Sequence, residues 1–252
     1  MSEMFPARTI AIEVIGCTDE SRMWEFNWWY DRVHIPELRK TPGIVNISRY
    51  RDMIPDFSEM GAAFKAPAGQ PVRHLTMYRI NWPDPWGLMQ KIKEDDKKRA
   101  KKGKMINCLK SYEVSVWDFL AYRRSVQPLQ RPETRLPDGM PEVIFLVFNI
   151  SQPGRELEHD DWWQNTHSHD LLETPGLVQC SRFKNLNPKP ADNEATKLNF
   201  YEIDSDDPVA VCKRIFSDDK NVRRPQGRMS PSTLSRQAEN YTRGLYQHWD
   251  LM

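Results

Sequence analysis

The chain nearly says the same thing twice, and that repeat constrains its fold more than any other feature. Trp29-Tyr30 leads through His34 and Leu38 into Thr41-Pro42-Gly43 and ends at Ser48-Arg49-Tyr50. Trp162-Trp163 leads through His167 and Leu171 into Thr174-Pro175-Gly176 and ends at Ser181-Arg182-Phe183. Both stretches keep one offset, since 174 − 41 = 133 and 182 − 49 = 133. The match resumes at 201 − 78 = 123, where Leu75, Tyr78, Ile80, Asp84, Pro85 and Ile92 recur as Leu198, Tyr201, Ile203, Asp207, Pro208 and Ile215. A shortened loop accounts for the change. Solenoid modules repeat every 20–50 residues or so, so a period this long reads as a duplicated domain.

Each copy reads β-α-β-β-α-β. In the first, Thr9–Cys17 alternates like a strand, and Asp19 or Ser21 caps a helix running to about Lys40. Pro42-Gly43 stops that helix. Gly43–Ile54 and Arg73–Asn81 follow as strands, separated by Pro55–Val72, which is too long for a tight hairpin and is a candidate lid. Asp84-Pro85 starts a second helix, and Leu109–Phe119 closes the unit. Arg123–Pro141 carries four prolines and reads as a linker. The expected organisation is therefore a first domain over residues 1–125, a Pro-rich linker over 126–141 and a second domain over 142–252. The second copy repeats the order, with strands Glu142–Ser151, Gly176–Leu186 and Thr196–Ser205, and helices over Leu157–Glu173 and from Asp207. Ser217–Asn240 looks irregular, and Tyr241–Trp249 is the expected last strand. Such a fold is α+β: two ferredoxin-like sheets, each with both helices on one face, packed sheet to sheet.

Charge is balanced, 36 basic against 35 acidic residues, so no global field points to nucleic acid. The run Lys97-Lys98-Arg99-Ala100-Lys101-Lys102-Gly103-Lys104 reads as a solvated helix end. No stretch reaches the roughly 18 apolar residues of a membrane span, and no signal peptide is visible. Cys17, Cys108, Cys180 and Cys212 form no C-x-x-C pair and fit a reducing, cytoplasmic setting.

The segment Trp28-Trp29-Tyr30-Asp31-Arg32-Val33-His34-Ile35-Pro36-Glu37-Leu38, followed by Thr41-Pro42-Gly43-Ile44 and Arg49-Tyr50, resembles the first helix and second strand of dimeric α+β barrel proteins, in particular their EthD-like branch. The second copy departs from that pattern, with His169 in place of Pro36 and Asp170 in place of Glu37. The resemblance implies a fused dimeric α+β barrel in one chain. It extends to cofactor-free monooxygenases, cyclases, isomerases, dehydratases and haem proteins, so it does not fix a reaction.

On a helix, Tyr30, His34, Leu38 and Thr41 share one face, as do Trp163, His167, Leu171 and Thr174. His34 and His167 are thus general acid–base candidates, or else fold-supporting imidazoles bonded near the Pro-Gly turn. Tyr78 and Tyr201 are equivalent phenols, as ligand donors or as core. Arg49 and Arg182 are forks for a carboxylate or phenolate, or partners of an acid such as Glu113. Asp170 is a possible partner of His167. Trp29, Tyr30, Trp162, Trp163 and His169 complete the candidate substrate contacts. His167 and His169 point about 200° apart on a helix, and His167 with Asp170 falls short of three ligands, so no metal is expected. The absence of a G-x-G-x-x-G disfavours flavin and nicotinamide. The expected activity is cofactor-independent proton-transfer catalysis, a lyase, isomerase or cyclase step on a small aromatic or polycyclic compound, in a protein that is a candidate homodimer. A cofactor-free or haem-dependent monooxygenase, with His167 as axial ligand, is the alternative, and a non-catalytic aromatic-binding protein is another.

Overall fold

The computed structural model describes residues 8–53, 73–126, 140–187, 194–228, 234–237 and 244–249. Residues 9–124 form β1 (Thr9–Cys17), α1 (Met23–Trp29), a π turn (Tyr30–His34), α2 (Ile35–Leu38), β2 (Ile44–Asp52), β3 (Arg73–Ile80), α3 (Pro85–Lys101) and β4 (Leu109–Arg124). Residues 143–248 form β5 (Val143–Ser151), α4 (Glu156–Trp162), a second π turn (Trp163–His167), α5 (Ser168–Leu172), β6 (Leu177–Asn185), β7 (Lys197–Ile203), α6 (Pro208–Asp218), a third π turn (Asp219–Arg223), β8 (Ser235–Gln237) and β9 (Gly244–His248). The candidate lid at 55–72 and most of the expected linker lie outside the described residues.

Turn chemistry sets the boundaries in both halves alike. Asp84 accepts a hydrogen bond from Gly87 N and Asp207 from Ala210 N, each at 2.9 Å, capping α3 and α6 ahead of a proline. Gly43 at φ +94° and Gly176 at φ +87° end the first helices. A Cβ on either would come within 2.8 Å of a side-chain carbon, of Trp82 or of Val211, so only glycine fits.

Every strand pairing is antiparallel, and the order runs β7-β6-β4-β1-β3-β2-β9-β5, with β5 also paired to β7. The sheet therefore closes on itself. β8 extends β5 beyond β9, on the same edge. The two halves join edge to edge, through β4–β6 and β2–β9, rather than only stacking face to face as the sequence pattern alone implies. Closure removes the exposed strand edges that open sheets must otherwise protect. It also explains why β4 runs past Phe119 to Arg124: its extra residues pair with β6 as far as Gln179.

Strand alternation sorts side chains into three layers. Ile10, Ile12, Leu75, Met77 and Trp117 meet Ile144, Leu146, Phe148, Phe183, Leu198 and Phe200 inside the ring. Ala11, Ile15, Ile47, Tyr78 and Val116 face outward under Phe26, Tyr30 and Leu38. Phe145, Cys180, Tyr201 and Ile203 do the same under Trp163 and Leu171. The polar segment after Asp218, expected to be irregular, instead continues as a π turn and returns as β8. No helix among the described residues is long and apolar enough to cross a membrane.

Candidate functional site

Both first helices carry a π turn at the same place. Ile35 N donates to Tyr30 O, and Ser168 N donates to Trp163 O, each reaching back five residues instead of four. Pro36 is not the cause, because the second half has His169 there. What the two turns share is a stack between residues five apart. Trp29 lies on His34 with ring centroids 4.9 Å apart and planes at 20°, and Trp162 lies on His167 at 4.5 Å and 22°. The extra residue in the turn brings position i+5 over position i, which a regular α-helix does not do.

One residue further on, Tyr30 and Trp163 turn fully inward, each covering a buried arginine. The Arg49 guanidinium lies 4.8 Å from the Tyr30 ring, and that of Arg182 lies 5.4 Å from the Trp163 ring. Arg49 donates to Asp31 Oδ1 at 2.9 Å and to Asn27 Oδ1 at 2.6 Å. Arg182 donates to Asp160 Oδ1 at 2.9 Å and to Asn199 Oδ1 at 3.1 Å, and Lys197 Nζ reaches Asp160 Oδ2 at 2.6 Å. Asp160 occupies the position of Asn27, so the acid has moved one helical turn between the halves while the arginine has stayed. Acids on the first helices take these forks, and the expected acid Glu113 has a side chain outside the described residues.

Beneath the first helices the halves diverge. Tyr78 Oη donates to Glu13 Oε2 at 2.9 Å, and Tyr30 Oη lies 2.9 Å from Thr76 Oγ1. Burial raises the Glu13 pKa despite the hydrogen bonds from Tyr78 and Ser111 that oppose the rise. Burial likewise lifts Asp96, on α3, to about 6 against the pull of Arg99. His34 Nε2 faces Asp96 Oδ2 at 3.9 Å, and burial and Arg99 push its pKa down to about 4. In the second half Tyr201 pairs with Phe145 in the register that joins Tyr78 to Ala11, so Val147 stands where Glu13 stands. Tyr201 stacks on Phe145 at 5.7 Å and meets no carboxylate there. Among the described residues the carboxyl–phenol pair belongs to the first half alone.

His167 does not pair with Asp170. Asp170 bonds instead to Arg228, and its carbonyl accepts from Arg223 Nη2 at 2.6 Å. The guanidinium of Arg228, from the segment after α6, outcompetes a neutral imidazole for that carboxylate, while Arg223 takes the backbone carbonyl. His167 is held near pKa 3 by burial and by Arg182 and Arg223, and His169 is exposed. The sequence reading missed Glu13, Asp96 and His74. His74 is 1% exposed, with neither ring nitrogen hydrogen-bonded, beside the Trp249 ring at 5.6 Å. The Glu13 signal was present: a lone charge in TIAIEVIGC, a strand otherwise apolar on both faces.

A cleft of about 680 Å³ opens over the first half between the π turn and the end of α3, bordered by Trp29, Val33 and His34.

Neither a family model nor a curated protein matches the chain. Solved structures do. A dye-decolorizing protein from V. cholerae has a TM-score of 0.54 and 8% identity, over 95% of this chain and 93% of its own. The encapsulated DyP-type peroxidase from Mycobacterium smegmatis has 0.53 and 11%, over 95% and 92%. A dye-decolorizing peroxidase from Bacteroides thetaiotaomicron has 0.50 and 11%, over 96% and 92%. These likenesses show the fold alone and do not single out the EthD-like branch.

Proposed function

We propose that this chain is a duplicated, fused α+β barrel whose first half oxidises a phenolic or similarly acidic aromatic compound, using molecular oxygen and no bound cofactor. The observation that carries this reading is the Glu13–Tyr78 pair at 2.9 Å, a carboxyl made more basic by burial, in the half that also carries the open cleft. Glu13 takes a proton from a phenolic O–H or an activated C–H of the substrate. The Tyr78 and Tyr30 hydroxyls hold the oxyanion that develops, in a site from which Phe26, Ile47 and Leu38 exclude water. The resulting anion is electron-rich enough to react with oxygen directly. An isomerase or lyase would share the first step and return the proton to another carbon. The oxidative outcome draws support from structural neighbours described as peroxidases.

The superfamily also includes haem proteins, and the residues here do not fit that group. His167, the expected axial ligand, has one ring face closed by Trp162 and sits among guanidiniums, while the 680 Å³ cleft is bordered by first-half residues only. Within that cleft His34 turns Nε2 to Asp96. The expected axial imidazole, that of His167, and the space are in different places.

The test is oxygen consumption by the purified protein against a panel of hydroxylated aromatics, with Glu13→Gln alongside. Oxygen uptake that disappears in Glu13→Gln is expected. Turnover that continues under argon would replace the oxidative reading with the isomerase one, and a Soret band would restore haem.

A further inference from the structure

The basic run at the end of α3 plays no part in the proposed reaction. Lys98, Arg99, Lys102 and Lys104 stand on the wall of the cleft opposite Trp29 and His34. Lys98 bonds Asp95 at 2.9 Å and Arg99 bonds Asp96 at 3.2 Å. Lys102 and Lys104 are exposed and make no side-chain hydrogen bond or ion pair among the described residues. The acids on the cleft wall are Glu37 and Asp95, and Glu37 is already bonded to Lys40 at 2.6 Å. Four cations against two carboxylates leave the wall at +2.

Cations do complement a helix C-terminus. The second half tests whether the fold needs them there. At the offset that takes Ile92 to Ile215, Asn221, Val222, Pro225 and Gly227 replace Lys98, Arg99, Lys102 and Lys104. The neighbouring Arg223 turns inward to Asp219 at 2.6 Å and is buried. That helix end keeps the exposed cations Lys220 and Arg224, but none at the four positions that border the cleft in the first half.

We propose that Lys102 and Lys104, with Lys98 and Arg99 behind them, receive the acidic group of an aromatic anion, a carboxylate above all, whose ring lies along the Trp29 side of the cleft. This rests on the reading of the first half as the working site, and it narrows the substrate to an aromatic acid. A concave, aromatic-walled space of this size suits a single small molecule better than a polyanion, whose charges need an open track.

Tryptophan-quenching titrations of the full chain at pH 7 test it, with 1-hydroxy-2-naphthoate as the anionic probe and 2-naphthol as its uncharged counterpart. The naphthoate should quench, and Trp29→Phe should remove much of the change. Lys102→Gln with Lys104→Gln should weaken the naphthoate about tenfold while leaving 2-naphthol unaltered, and added salt should reproduce part of that loss. Both lysines are exposed, so the double variant keeps the fold. No quenching by the naphthoate, equal affinity for both probes, or indifference to the lysine changes would each overturn the proposal. The two readings fail separately. If the lysine changes weaken the naphthoate but Glu13→Gln turns over normally, the acid–base assignment falls and the anion site stands. The opposite pattern removes only the anion site.

Discussion

Trp29 and His34 stack at 4.9 Å because a π turn carries the chain one residue further round than an α-helix would. The stack and the turn therefore stand or fall together. Trp29→Ala removes the ring against which the widened turn closes, and Trp29→Phe keeps a ring there. The alanine variant should lose about 1–3 kcal/mol of stability, of which the aromatic pair itself supplies roughly 0.5–1.5. The phenylalanine variant should lose less than half of that. Urea denaturation read by far-ultraviolet circular dichroism separates them, and equal losses would show that the stack does not hold the turn.

Asp160 and Asp31 do matching work under unequal load. Asp31 serves Arg49, which Asn27 also holds, whereas Asp160 serves both Arg182 and Lys197. Burial opposes ionisation of Asp160, yet Lys197 and Arg182 keep its pKa below the usual range. Removing one partner of a buried pair costs about 3–5 kcal/mol, because the other charge remains desolvated. Asp160→Asn should thus destabilise more than Asp31→Asn, the first leaving two cations short of a counter-charge and the second one. Thermal unfolding of both variants is the measurement. An equal or reversed ranking would mean that Lys197 finds water.

Much of the fold was legible because the two copies annotate each other. The capping aspartates, the two Pro-Gly turns and the arginines under the first helices recur with their local chemistry intact. The edge pairings that close the sheet were not legible, since hydrogen bonding between β4 and β6 depends on relative position and leaves no local pattern. Nor was the π turn: counting 100° per residue predicts the Tyr30–His34 neighbourhood but not the Trp29–His34 stack. The polarity of the two first helices is uneven. The acids and histidines crowded into the second first helix satisfy one another or face solvent, as Asp170 does with Arg228 and His169 does with water. On the proposed reading, Glu13, a single charge in an apolar strand, takes the acid–base role that the sequence pattern offered to His34 and His167.

That reversal sets a ranking among variants. Glu13→Gln preserves the shape of the carboxyl and leaves Tyr78 a hydrogen-bond acceptor, while removing the base. Turnover should fall about 10²–10⁴-fold with little change in folding. Tyr78→Phe should cost less, since Tyr30 and Ser111 remain near. His167→Gln should leave turnover within a few-fold of wild type and act on stability. A large loss at His167 with a normal Glu13→Gln would return the site to the second half.

Acid should unfold this protein earlier than its balanced composition implies. Burial holds His34 near pKa 4 and His159 and His167 near 3, and it holds His74 well below its usual 6.5. In each case the unfolded chain binds a proton that the native state refuses, so stability is present above about pH 6.5 and is lost as pH falls toward the native values. Three carboxyls work in the opposite sense. Glu13, Asp96 and Asp219 are raised by burial, Asp96 to about 6 from 3.8, so the native state takes up their protons before the unfolded chain does. Their gain begins only below about pH 6, after the imidazoles have begun to count, and four histidines oppose three acids. The urea midpoint should therefore fall from pH 7 to about 5 and then flatten as the carboxyls catch up. His167→Gln cannot take up that proton in either state, so its midpoint should fall less over the same interval while starting lower at pH 7. A wild-type midpoint that stays level or rises on acidification would mean that the imidazoles are charged in the native state. The Trp29–His34 and Trp162–His167 stacks would then hold cations over aromatic faces, not neutral rings against them.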